Sequence, residues 1–94
     1  MIRMKKLAGQ YKFIIEETGL EVEARIIQYL DVNSPVSAFE WEISHFYKPE
    51  PTADFYKPSG MHGFEIADTE HSLLRYVKGF TSITEKNKNY KATF

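Results

Sequence analysis

Cysteine is absent from the 94 residues, which excludes disulfide staples and thiolate metal sites together. The start also lacks a charged-then-apolar leader ending in small residues, so a reducing, cytoplasmic setting is expected. No apolar run approaches the roughly 20 residues that a membrane helix needs, so a soluble chain with no membrane partner is expected. A surplus of one charge sign is missing too: Lys plus Arg number 12 against 13 acidic residues, a formal charge of −1. Such a balance supplies no global field to collect phosphate backbones or anionic lipid, and any nucleic-acid contact must be local.

Catalytic signatures are equally scarce. Ser44, Ser59 and Ser72 could in principle pair with a histidine and Asp68, but no Gly-x-Ser-x-Gly elbow surrounds any of them. The loop Ser59-Gly60-Met61-His62-Gly63 lacks the glycine count and following lysine of a phosphate loop. His45, His62 and His71 have the chemistry of metal ligands alongside Glu65, Asp68 or Glu70, yet none of the usual ligand spacings occurs among them. Carboxylate pairs at Glu21/Glu23 and Glu40/Glu42 fall at strand spacing on a face that reads as solvated, where little desolvation would raise a pKa. The expectation is a protein that is not an enzyme, with no cofactor and no resident metal. A small metal-binding or hydrolytic protein built on His45, His62 and His71 is the remotest alternative.

What is present suits one packed core. Hydrophobic residues make up 43% of the chain and aromatics 15%, enough for a single small domain over residues 1–94. Alternation of apolar and polar residues predicts a strand from Gln10 to Glu17, carrying Tyr11, Phe13 and Ile15. Thr18-Gly19 then reverses the chain into a second strand from Leu20 to Leu30, with Leu20, Val22, Ala24 and Ile26 on one side and Glu21, Glu23 and Arg25 on the other. A helix capped by Thr18 competes for this segment through Glu21, a capping-box pattern. Consecutive matches to a period of two favour the strand.

Asn33-Ser34-Pro35 turns the chain, and a third strand is predicted over Ser37 to Tyr47, placing Phe39, Trp41, Ile43, His45 and Tyr47 on one face. Prolines and glycines between Pro49 and Gly63 imply a loop, with Phe55 to Lys57 as a short edge strand. Asp68 is a suitable N-cap for a helix running to Lys78 and stopped by Gly79, with Leu73, Leu74, Val77 and Phe80 as its apolar stripe. The fold class is therefore α+β: a three- to four-stranded antiparallel meander with one helix packed on one face, in the order β-β-β-loop-α. The face away from the helix reads as solvated, and residues 1–9 and 84–94 as termini that fray.

One pattern stands apart. Phe46-Tyr47-Lys48-Pro49 recurs as Phe55-Tyr56-Lys57-Pro58, two legs of an extended arm joined through Glu50 and Asp54. Aromatic rings beside ammonium groups can fill a partner's pocket or stack on bases. They can equally cover the open end of a small core while the lysines reach outward. Acidic residues between the legs favour a protein partner over nucleic acid. The leading expectation is a non-enzymatic protein-interaction or regulatory module with Phe46, Tyr47, Lys48, Phe55, Tyr56 and Lys57 as the binding residues. Pairing of the arm with its own copy would give a homodimer. The alternative is a nucleic-acid-binding domain using that arm with Arg3, Lys5, Lys6, Lys86, Lys88 and Lys91 of the basic termini.

Overall fold

A computed structural model describes residues 3–31, 37–58 and 62–94. Its α+β architecture is a four-stranded antiparallel sheet, a two-stranded sheet and one helix. The large sheet runs β1 (Arg3–Ile15), β2 (Leu20–Asp31), β3 (Ser37–Ile43) and β5 (His62–Gly63), in the spatial order β1-β2-β3-β5. The small sheet pairs β4 (His45–Tyr47) with β6 (Thr84–Lys86), and α1 spans Ile66–Lys78.

The β1–β2 hairpin closes through Thr18 and Gly19, whose backbone N–H groups both donate to the Ile15 carbonyl, at 3.2 and 2.8 Å. Gly19 adopts φ 71°, a left-handed conformation that costs a residue with a side chain about 1 kcal/mol or more. β1 begins at Arg3 rather than Gln10 and contains a bulge: Leu7 faces Ile27 while Gly9 faces Ile26, leaving Ala8 as the extra residue. Beyond the bulge the alternation changes phase, so Gly9, Tyr11 and Phe13 share the face of Ile26, Ala24 and Val22, whereas Lys5 and Leu7 lie on the other.

Val22, Ala24, Ile26, Trp41, Ile43, Leu73 and Tyr76 form the heart of the core with Ile15 and Tyr47. Trp41 is 1% exposed, and its indole Nε1 donates to Ser72 Oγ at 3.2 Å, so the largest buried ring also satisfies its one polar group. The helix presents Thr69, Leu73 and Tyr76 to the sheet. Leu74, expected within the stripe, is 43% exposed, while Leu73, about 100° away round the helix, is fully buried. The N-cap also differs from expectation. Glu65, in extended backbone, precedes the helix without a side-chain capping bond, and Asp68 lies in the first turn, where it complements the positive end of the helix.

The predicted third strand is two strands. Ser44 bends the chain, so residues 37–43 pair with β2 and residues 45–47 pair with β6. The bend is locked from both sides: Ser44 N–H donates to the Glu23 carbonyl at 2.8 Å, and Glu23 N–H donates to Ser44 Oγ at 2.9 Å.

The outer face of the large sheet is only partly solvated, which corrects the uniform charged face read from the sequence. Arg25 is 6% exposed, and its Nε donates to Glu42 Oε2 at 2.8 Å. The tail crosses above it, with the Tyr90 ring 4.5 Å and the Phe94 ring 5.7 Å from the guanidinium carbon. Phe94 also lies 4.8 Å from Lys5 Nζ. A guanidinium between a carboxylate and two aromatic faces is compensated where a bare buried charge would be costly. No helix among the described residues is long and apolar enough to cross a membrane.

Candidate functional site

The doubled motif folds back on itself. Tyr47 and Tyr56 form an antiparallel bridge, with Tyr56 N–H donating to the Tyr47 carbonyl at 2.7 Å. The connection tightens through Ala53 N–H to the Glu50 carbonyl at 3.1 Å. Antiparallel pairing reverses one copy relative to the other, so Phe-Tyr-Lys meets Lys-Tyr-Phe. Each lysine consequently lies over the phenylalanine of the opposite copy: Lys48 Nζ is 5.0 Å from the Phe55 ring, and Lys57 Nζ is 5.8 Å from the Phe46 ring.

Strand alternation separates the motif into two layers. Both tyrosines point toward the helix, where the Tyr47 ring lies 5.0 Å from Tyr76 and 4.8 Å from Phe80, and the Tyr56 ring 5.3 Å from Tyr76. Tyr47 is 5% exposed and belongs to the core, while Tyr56 remains half exposed at the rim. The Tyr76 hydroxyl donates to the Tyr56 carbonyl, tying the second leg to the helix. Burial, reinforced by the neighbouring Tyr47, raises the Tyr76 phenol well above its ordinary value. Thr81 Oγ1 donates to the Lys48 carbonyl at 2.5 Å, and Lys48 N–H donates to the Ile83 carbonyl at 2.9 Å. These bonds hold the hairpin against the small sheet, so it is a folded-back loop and not a protruding arm.

The other layer carries Phe46, Lys48, Phe55 and Lys57. Lys57 is exposed and the other three are half-buried, and Phe46 also touches the edge of the core. Two lysine-on-phenylalanine pairs related by a local pseudo-twofold thus form a basic, aromatic platform. Sequence reasoning expected all six motif residues on one binding surface; the structure divides them into two buttressing tyrosines and a second layer of four. It missed the contribution of β6. Phe46 is paired with Glu85 and His45 with Lys86, so the next edge of the platform comes from a segment that reads as a polar tail.

The histidines do not gather. His45 Nδ1 lies 2.8 Å from Ser44 Oγ, which also accepts the Glu23 N–H. Burial and then the charge of Lys86 lower the His45 pKa. His71, on the exposed side of the helix, accepts from Arg75 Nη2 at 3.3 Å. The His62 side chain, with Ser59, Gly60 and Met61, lies outside the described residues. Among the described residues no group of three or more histidines and carboxylates is placed to hold a metal ion. Ser72 is engaged by Trp41.

The basic residues of the two termini are also separated. Lys5 is stacked on Phe94, far in sequence from the platform, whereas Lys86 and Lys88 border a concavity beside Phe46 and Lys57. No family model, curated protein or solved structure matches the chain.

Proposed function

We propose that the protein is a non-enzymatic interaction module that binds an extended acidic segment of a protein partner on Phe46, Lys48, Phe55 and Lys57. The observation that carries this reading is the exchange of lysine-over-phenylalanine contacts between the two motif copies, at 5.0 and 5.8 Å. Each pair offers a cation already positioned over an apolar ring, so a carboxylate can approach the ammonium while neighbouring apolar atoms cover the ring edge. Tyr47 and Tyr56 stiffen the platform from beneath, which lowers the ordering cost of binding.

Nucleic acid is the second reading, because the same pairing of ring and cation suits a single strand. Glu50 and Asp54 at the hairpin tip and Glu85 beside Phe46 divide the positive charge into separate patches, which suits a segment that sets carboxylates only against the lysines better than a phosphate backbone with a charge at every step. The decisive experiment titrates a labelled glutamate-rich peptide and a labelled mixed single-stranded oligonucleotide, each with and without Lys48→Ala/Lys57→Ala. Peptide binding that the double substitution removes supports the reading. Tight oligonucleotide binding that weakens steeply with salt, with the peptide inert, replaces it by the second. Light scattering on the same samples shows whether a second copy takes part.

A further inference from the structure

Beside the platform, β6 and the residues after it curve around a concavity of about 300 Å³ bordered by Phe46, Lys57, Glu85, Lys86, Lys88 and Asn89. Three lysines and one glutamate line it, a formal surplus of two positive charges. Among the described residues Lys57, Lys86 and Lys88 form no ion pair; the salt bridges present belong to Lys12 and Arg25. Lys57 is oriented by the Phe46 ring, and Lys86, paired with His45, is the last residue of β6. The Asn87 side chain donates to the Ile43 carbonyl at 2.9 Å and accepts from Asn89 N–H at 3.0 Å, fixing the backbone that presents Lys88.

Like charges held in one hollow without a direct ion pair repel each other, and a multivalent anion relieves that repulsion where a single carboxylate does so incompletely. A phosphate monoester carries about −1.5 to −2 charges at neutral pH, with three acceptor oxygens. We propose that this concavity receives a phosphorylated side chain carried on the acidic segment that binds the platform. The assignment rests on the preceding reading and deepens it: the partner is recognised by a phosphate at the Lys57–Lys86–Lys88 hollow and by carboxylates along the platform.

The test compares three probes by calorimetry and amide NMR: a glutamate-rich peptide containing one phosphoserine, the same peptide with serine, and inorganic phosphate. The phosphopeptide is expected to bind at least about tenfold more tightly than the serine peptide, the scale of one added charge-assisted hydrogen bond. Lys86→Ala/Lys88→Ala removes that difference while leaving serine-peptide binding intact; both residues are exposed, so the variant is expected to fold. Glu85→Gln strengthens phosphopeptide binding, and the preference fades as pH falls below about 6, where the phosphate takes up its second proton.

Equal affinity for the two peptides overturns the phosphate hollow and leaves the platform reading standing. Inorganic phosphate that shifts the Lys86 and Lys88 amides when neither peptide binds sinks the platform reading, and with it the peptide as the phosphate's source. Phosphopeptide preference that survives Lys86→Ala/Lys88→Ala places the anion elsewhere and also overturns the proposal.

Discussion

Identical substitutions in the two copies of the motif should have very different costs. Tyr47 is 5% exposed and Tyr56 50%, although each is the second residue of the same Phe-Tyr-Lys-Pro sequence. Tyr47→Ala removes a ring packed 5.0 Å from Tyr76, 4.8 Å from Phe80 and 5.8 Å from Tyr56. Truncating a buried aromatic residue costs about 3–5 kcal/mol. Tyr56→Ala deletes two of the ring contacts, to Tyr47 and Tyr76, from a half-exposed position and leaves its backbone bonds in place. About 1–1.5 kcal/mol is expected there, at the scale of aromatic pair energies. Urea unfolding followed by the fluorescence of Trp41, the only tryptophan, separates the two. With a slope of about 1–1.5 kcal/mol per molar for a chain this size, the midpoint should fall by about 2–5 M for Tyr47→Ala and by about 1 M for Tyr56→Ala. Equal shifts would refute the assignment of the two tyrosines to different depths. A Tyr47→Ala variant that unfolds with the wild-type midpoint would return that residue to the binding surface.

Three further sites test the framework: Glu42, Gly79 and the Tyr11–Glu70 bond. Glu42→Gln leaves the Arg25 guanidinium without its carboxylate beneath Tyr90; because Glu42 keeps 28% side-chain exposure, about 1–3 kcal/mol is expected, below the full cost of breaking a fully buried pair, measured by denaturant midpoint. A Cβ at Gly79 would fall on the Tyr47 hydroxyl, so Gly79→Ala should cost about 1–3 kcal/mol as overpacking, and Tyr47→Phe in the same chain should recover part of it in a double-mutant cycle. Tyr11 donates to Glu70 at 2.5 Å, and burial followed by that bond and the glutamate charge pushes its phenol up to about 12. Its folded value lies above the unfolded value near 10, so the native state retains a proton the unfolded chain has lost. Its stabilising contribution is therefore complete below about pH 10 and disappears as pH rises toward 12, which tyrosinate absorbance against unfolded fraction should follow. Glu70→Gln should move that alkaline transition to lower pH.

The parts of the fold legible in the sequence are those whose side chains obey one local period. Val22, Ala24, Ile26 and Trp41, Ile43 alternate cleanly, and the structure buries them together. The early half of β1 is hidden because the bulge at Ala8 shifts the phase, so Lys5 and Leu7 contradict the pattern that Tyr11 and Phe13 set. The change of sheet at Ser44 is invisible for the opposite reason: Trp41, Ile43 and Tyr47 remain in phase through the bend, and only pairing partners far along the chain differ. For the helix, Thr69, Leu73, Tyr76 and Phe80 follow i, i+4, i+7, i+11, a better stripe than one containing both Leu73 and Leu74. Tyr76 was the signal available in the sequence.

At the candidate site, the repeat itself was legible and its geometry nearly so, since reversing one copy against the other sets lysine opposite phenylalanine. Arg25 was not. A charged residue on the outer face reads as solvated until Tyr90 and Phe94, more than sixty positions away, close over it. The same long-range return brings Lys86 and Lys88 beside Phe46, so the phosphate hollow belongs to no single stretch of sequence.

Asn87 has one consequence for how the molecule opens. Its N–H donates to the Ser44 carbonyl at 2.8 Å, and its side-chain amide donates to the Ile43 carbonyl, so one residue fastens the returning chain to the hinge between the sheets. Opening β6 would lift the lysines, release the aromatic cover from Arg25 and free the Ser44 hinge together. Slow amide exchange should therefore be lost as one cooperative unit across residues 45–47 and 84–90, while Val22 to Ile27 and Trp41 exchange only on global unfolding. A partner clasped at the platform would slow that unit selectively, making local exchange protection a footprint of binding.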